Sequence, residues 1–140
     1  ASRGDGGFVK EDFFVPPPVR GQALQLDRLE FTPKAIAPEL GDALRFRFTV
    51  TPRITDENLR RTRRVKFTAR VLDMNGRRVR TIYEDQAYTP MELEDPEPPS
   101  ANVFDGRDDD GRLLDAGIYI LQVILEPDQD QARRGLAVVR

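Results

Sequence analysis

Apolar and polar residues alternate along most of the chain after residue 22, and this period of two is typical of half-buried β-strands. Residues 43–50 read ALRFRFTV, with Leu, Phe, Phe and Val at the even positions and two Arg and a Thr between them. Residues 65–71 repeat the pattern as VKFTARV. We therefore predict a strand at each place, with one face in a core and the other in water.

Further apolar and β-branched runs predict five more strands, at 23–31, 79–83, 101–104, 118–125 and 135–140, of which 118–125 is the strongest. Turn signals separate them: 73–76 contains the Asn-Gly dipeptide of tight hairpins, and 105–117 is rich in Asp and Gly. Residues 86–100, with four prolines and four acids, predict a solvated loop. Only 55–62 has the pattern of a short helical turn. Seven strands at this spacing predict an all-β, antiparallel sandwich.

The first twenty residues differ from the rest, and we treat 1–20 as an N-terminal extension of a domain at 21–140. Residues 8–15 read FVKEDFFV, a short aromatic and β-branched run that is typical of a strand. Three prolines follow, which favour a stiff polyproline II spacer of about 3.1 Å per residue. The extension therefore combines an apolar strand with a short rigid arm.

The strand predicted at 118–125 is apolar on both faces. Its odd positions are all apolar, and its even positions carry three isoleucines interrupted only by Gln122. Because a two-sheet sandwich covers one face of each sheet, the even face needs a cover. A loop of the same domain would serve, and so would the strand at 8–15 from this chain or from a neighbour. The pattern alone does not separate these alternatives.

A subunit interface follows from the second alternative. Its inserted strand would be formed by Phe8, Val9, Phe13, Phe14 and Val15. Its spacer would be Pro16, Pro17 and Pro18, and its receiving surface Ile118, Ile120 and Ile124.

Composition excludes most kinds of catalytic centre. The 140 residues are enough for one domain, and 39% of them are hydrophobic, which allows a core. There is no Cys and no His, so disulfides, the usual zinc sites and Ser-His-Asp or Cys-His catalysis are impossible. The formal net charge of −2 gives no pull towards nucleic acid or an anionic membrane. We predict a protein that is not an enzyme, has no cofactor, binds no nucleic acid and does not insert into a membrane.

The densest polar run is FDGRDDDGRLLD at 104–115. Asp-rich loops supply the oxygen ligands that calcium prefers, which makes Asp105, Asp108 and Asp110 weak calcium candidates. Their spacing does not match an EF-hand loop. The favoured interpretation is a pair of turns in which Asp side chains accept backbone hydrogen bonds and Gly106 and Gly111 take positive φ.

A second charged run, Arg60-Arg61-Thr62-Arg63-Arg64, allows three interpretations. It could contact phosphates or an anionic glycan, although no aromatic residue interleaves with it. It could be a solvated loop. It could also pair with the acidic residues of 92–97, within one molecule or between subunits.

Three pieces of the sequence resemble one group of Ig-like sandwiches. They are VLDMNGRRVRTIYE at 71–84, FDGRDDDGRLLDAGIYILQV at 104–123 and ARRGLAVVR at 132–140. The group is typified by the C-terminal Ig-like domain of the flagellar hook-capping protein, and the C-terminal sorting modules of type IX-secreted proteins look similar. The Trp that opens the Asp- and Gly-rich turn in that group corresponds to Phe104 here. The likeness covers about 24–140 and implies an extracellular or cell-surface Ig-like sandwich of about seven strands without catalytic activity, in which the matching Asp and Gly residues form turns.

The sequence supports three hypotheses of function. The first, which we favour from the sequence, is a secreted or cell-surface structural subunit that associates with copies of itself through residues 8–15, adding a strand to the next subunit and so building a filament. The second is an accessory or type IX sorting module of a larger secreted protein, with 1–20 as a linker. The third, a glycan- or calcium-binding sandwich, is weaker because the chain has no Trp and only Tyr88 among its tyrosines lies in a predicted loop. The small first residue, Ala1, fits a chain whose signal peptide has been removed, but equally a trimmed one.

Overall fold

Two β-sheets packed face to face form the protein in the computed structural model, which describes residues 24–126 and 130–140. A short 3-10 turn at Pro38–Leu40 follows the second strand. The elements in chain order are β1 (Gln25–Thr32), β2 (Ala35–Ile36), β3 (Leu44–Thr51), α1 (Glu57–Thr62), β4 (Val65–Leu72), β5 (Arg78–Tyr88), α2 (Pro90–Glu94), β6 (Val103–Phe104), β7 (Gly117–Glu126) and β8 (Asp130–Val138).

One sheet has three strands in the order β1-β3-β6, and the other has five in the order β2-β8-β7-β4-β5. All neighbouring strands are antiparallel except β2, which runs parallel to the end of β8. The prediction of an all-β sandwich is confirmed. The predicted extension at 1–20 lies outside the described residues. Within the described ranges, neither helix has the length and apolar character needed to cross a membrane.

The core lies between the two sheets, where the alternating strands place their apolar residues. The four even residues of β3 point inward, and Phe46 and Phe48 are fully buried. Phe48 packs against Phe67 of β4 with ring centroids 4.7 Å apart. The odd residues of β7 from Tyr119 to Leu125 are also buried, and Phe104 of β6 is 0% exposed. Burial of these large side chains is the main favourable term in the stability of the fold.

Several element boundaries differ from the sequence prediction. Residues 86–100 are not simply a loop, because β5 continues to Tyr88 and α2 follows directly. Thr89 caps α2 in a capping box with Glu92, and Pro90 occupies its first turn, where a missing N–H costs nothing. β8 begins at Asp130 rather than at 135, since it pairs with β7 over the whole length of that strand. The helical turn predicted within 55–62 is confirmed as α1.

Candidate functional site

The two Asp-rich segments form the same turn twice. In residues 73–77 the carboxylate of Asp73 accepts the backbone N–H groups of the residues two and four positions later, each at 2.9 Å. In residues 108–112 the carboxylate of Asp108 does the same, with the same two distances. In both turns the Gly at the fourth position has a φ of +83°. The backbone carbonyl of the Arg at the fifth position accepts the N–H of the first residue at 2.8 Å. The repeated D-x-x-G-R pattern is therefore a structural unit.

The second turn covers the start of the free edge of β5. Asp109 donates its backbone N–H to the carbonyl of Val79, and its side chain accepts the N–H of Thr81 at 2.8 Å. Arg80 donates to the carboxylate of Asp105 and to the carbonyl of Arg107, at 3.0 and 2.9 Å. An edge covered in this way presents fewer open backbone groups to another chain.

The calcium candidates are used inside these turns. Asp105 accepts the Arg107 backbone N–H as well as the Arg80 guanidinium, and Asp108 accepts two backbone N–H groups. Asp110 is exposed, and its own N–H is one of the two that Asp108 accepts. Over the described ranges, no three acidic side chains converge as metal ligands would. The geometry favours the turn interpretation.

The turn at 73–77 lowers the pKa of the Asp73 carboxyl. The hydrogen bond from the Arg77 backbone N–H, assisted by that of Asn75, holds the pKa of the Asp73 carboxyl below its ordinary value, against a smaller opposing effect of burial. The turn therefore favours the ionised carboxylate, which is the form that accepts both N–H groups.

A buried polar group joins β5 to the segment before β6. The side-chain oxygen of Asn102, which is 0% exposed, accepts the hydroxyls of Tyr83 and Tyr88 at 2.8 and 3.0 Å. The backbone carbonyl of Asn102 also accepts the N–H of Phe46. Tyr88 is buried, so its predicted place in an exposed loop is wrong. Burial raises the pKa of both tyrosines. The sequence carries no local signal for this cluster.

Arginines of α1 and β3 contact the acidic residues 92–97. Arg60 of α1 pairs with Glu94 of α2, and Arg45 of β3 donates to Glu97 at 3.2 Å. Arg47 donates to the backbone carbonyls of Asp95 and Pro96. Of the three interpretations of the basic run, pairing with 92–97 within one molecule holds for Arg60.

Replacing Arg60 tests the strength of this contact together with the weaker pair that Arg60 makes with Glu57 at 3.5 Å. The Arg60 and Glu94 side chains are only 21% and 29% exposed, so the pair is less screened than a surface pair. We expect Arg60→Gln to lower the free energy of unfolding by about 1–2 kcal/mol. The matched control is Arg61→Gln, whose ion pair with Glu57 is 66% and 59% exposed and should contribute only about 0.3–0.5 kcal/mol. Chemical denaturation measures both, and equal losses would contradict this interpretation of the contact.

The predicted receiving surface lies on the outer face of the five-stranded sheet. Ile118 is 53% exposed there, while Ile120 and Ile124 are half-buried. Gln122 between them is 2% exposed, because it accepts from Arg70 at 2.8 Å and donates to Gln131 of β8. A polar row therefore divides the apolar face. The other interface residues, Phe8, Val9, Phe13, Phe14, Val15, Pro16, Pro17 and Pro18, lie outside the described residues.

Comparison with known proteins finds likeness in fold. No family model matches the sequence, and no curated protein matches it. The chain is similar to part of dimeric latent PorU from Porphyromonas gingivalis, with 14% identity and a TM-score of 0.60 over 91% of this chain and 10% of that one. It is also similar to part of PorZ, an essential bacterial surface component of the type IX secretion system of the same organism, with 15% identity and a TM-score of 0.47 over 80% of this chain and 11% of that one. The chain spans about a tenth of the length of each. Neither is a flagellar hook-capping protein, so that part of the resemblance gains no support.

Proposed function

We propose that the chain is a non-enzymatic Ig-like module of a larger type IX secretion-related protein that is secreted or held at the cell surface. This is the second of the three hypotheses raised by the sequence. The observation that carries it is the pair of turns at 73–77 and 108–112, which lie in the segments that resemble type IX C-terminal modules. Here they close the β4–β5 hairpin and contact the free edge of β5. The likeness in fold to a part of PorU supports the same proposal.

The proposal includes that this domain catalyses no reaction. The carboxylates of Asp105, Asp108 and Asp109 are engaged in backbone or Arg80 contacts rather than gathered in a cleft. Tyr83 and Tyr88, whose hydroxyls are bound to Asn102, are held in their neutral form by burial. A domain whose polar side chains are hydrogen-bonded within its own fold in this way is suited to recognition by a partner rather than to catalysis.

The test is a secretion assay. The full chain is fused to a fluorescent reporter that carries a signal peptide and is produced in a bacterium with an intact type IX system. We expect the reporter at the surface or in the medium, and retained in the periplasm in a matched strain whose type IX system is inactivated. The reporter without the chain is the control. Equal distribution in the two strains would contradict the proposal.

Self-association into a filament is the second candidate function, and one observation favours it. The outer face of the five-stranded sheet exposes Ile118, with Ile120 and Ile124 beside it, and an apolar strand could cover them. The residues that would supply this strand, at 8–15, lie outside the described residues. The filament therefore stays a prediction.

Deletion of residues 1–15 tests that prediction. If the strand at 8–15 joins neighbouring copies, the full chain should sediment as large polymers and the shortened chain as a single small species. Ile118→Asp in the full chain is the matched variant, because it places a charge on the predicted receiving surface and should also prevent polymers. Analytical ultracentrifugation measures all three chains, and a full chain that stays monomeric at high concentration would end this hypothesis.

A further inference from the structure

A basic pocket lies where β1 begins, β4 begins and β7 ends. Its volume is about 360 Å³, which is at the small end of the range for binding pockets and enough for one or two large side chains rather than a whole strand. Apolar side chains form its floor and charged ones its rim. Its lining residues are Leu24, Arg63, Arg64, Val65, Lys66, Leu125 and Glu126.

The rim of the basic pocket carries an excess of positive charge. Arg63, Arg64 and Lys66 are exposed and form no ion pair with any other described residue, in contrast to Arg60 and Arg61 of the same run. Glu126, opposite Lys66 in the β4–β7 register, is the one acid on the rim. Such a pocket suits a ligand that places carboxylates beside a large apolar side chain.

The chain itself contains a segment with this chemistry. We infer that the acidic-aromatic segment Glu11–Phe14 docks in the basic pocket of the same molecule, with Glu11 and Asp12 beside Arg63 and Arg64 and one phenylalanine on the apolar floor. This inference goes beyond the proposed function and concerns residues that the type IX resemblance does not cover. The sequence of the segment is Glu-Asp-Phe-Phe, two carboxylates followed directly by two aromatic rings.

The length of the connection favours docking in the same molecule. Leu24 lines the basic pocket, and Phe14 is only ten residues before it. Ten residues reach at most about 35 Å, and Gly21 within them permits a reversal of direction. The three prolines favour a stiff spacer over about 9 Å of this length, and the six residues from Val19 to Leu24 contain no proline. A tether this short keeps the segment at a higher effective concentration near the pocket than the micromolar concentration of neighbouring copies in solution. A segment docked in this way is withheld from a neighbour.

Hydrogen exchange on the full chain at micromolar concentration tests the inference. The backbone amides of residues 11–14 should exchange about tenfold more slowly than in an unprotected peptide of the same sequence. Arg63→Glu with Arg64→Glu should remove this protection. Arg77→Glu with Arg78→Glu, the same change in charge where the turn at 73–77 meets the start of β5, should leave it unchanged. Adding Glu11→Arg and Asp12→Arg to the Arg63/Arg64 variant should restore part of it, because the charges are then exchanged.

Three results would overturn the inference. One is exchange of residues 11–14 at the unprotected rate in the native chain. Another is protection that survives Arg63→Glu with Arg64→Glu, which would place the segment elsewhere, for example on the Ile118 face. The third is protection that rises with protein concentration, which would assign the segment to a neighbouring copy. None of these results bears on the secretion assay, so the inference and the proposed function fail independently.

Discussion

Gly106→Ala should lower the free energy of unfolding by about 2–5 kcal/mol, a large part of the stability of an ordinary domain. Gly106 has a φ of +78°, in the left-handed region that residues with a side chain avoid. A Cβ atom at this position would lie 2.2 Å from Cγ and 2.8 Å from Cβ of Pro38. Pro38 is itself buried at the start of the 3-10 turn, so it has little room to move. Strain in the backbone and the clash therefore add.

Substitutions at two other glycines separate the backbone strain from the clash. Gly76 and Gly111, in the paired turns, each have a φ of +83° with open space where a Cβ would lie. Gly76→Ala and Gly111→Ala should therefore cost only the backbone strain, about 1–2 kcal/mol each. Denaturation midpoints at an unchanged slope measure all three variants. Equal losses in the three would show that the contact between Gly106 and Pro38 contributes nothing of its own.

Asn102→Ala should be the most damaging polar substitution, with a loss of about 3–5 kcal/mol. It removes the acceptor of both the Tyr83 and the Tyr88 hydroxyl, and burial leaves these hydroxyls few other partners. Tyr83→Phe and Tyr88→Phe, which each remove one donor, should cost about 1 kcal/mol. Denaturation by urea distinguishes the cases: Asn102→Ala should cost more than the two Phe variants combined. A smaller loss would mean that the hydroxyls find other partners.

The same group gives a pH dependence. Burial raises the pKa of Tyr83 and Tyr88, so the folded chain keeps both protonated at a pH where the unfolded chain loses its protons. This stability is fully present below the unfolded pKa of about 10 and falls as the pH rises above it. The double variant Tyr83→Phe with Tyr88→Phe should flatten the fall. Unfolding measured between pH 8 and 11 checks this, and an unchanged slope would contradict it.

β3 and β4 could be predicted from the sequence because apolar and polar residues alternate along them. In β3 and β4 the period of two follows directly from burial on one side, and both strands lie within one residue of the predicted ranges. The paired turns also carry a local signal, since Asp and Gly act there through their own backbone hydrogen bonds. Local chemistry and local pattern were sufficient for these elements.

α2 was missed because its prolines and acids are also common in loops. Its signal was nevertheless present, since Thr89 followed three residues later by Glu92 is a capping box and Pro90 suits a first helical turn. The cluster of Asn102 with Tyr83 and Tyr88 is different, because it forms only when residues 14 and 19 positions apart meet in the core. A periodic pattern of apolar and polar residues does not predict such a long-range contact. The basic pocket likewise requires the ends of three strands to be brought together.

The secretion assay is the decisive experiment for the proposed function, because it asks whether the chain acts with a type IX system at all. The quantity to measure is the fraction of fused reporter found outside the cell envelope in a type IX-competent strain, divided by the same fraction in the inactivated strain. We expect a ratio well above one for the native chain and a ratio near one for the reporter alone. A ratio near one for both would contradict the proposed function and leave only the all-β sandwich fold.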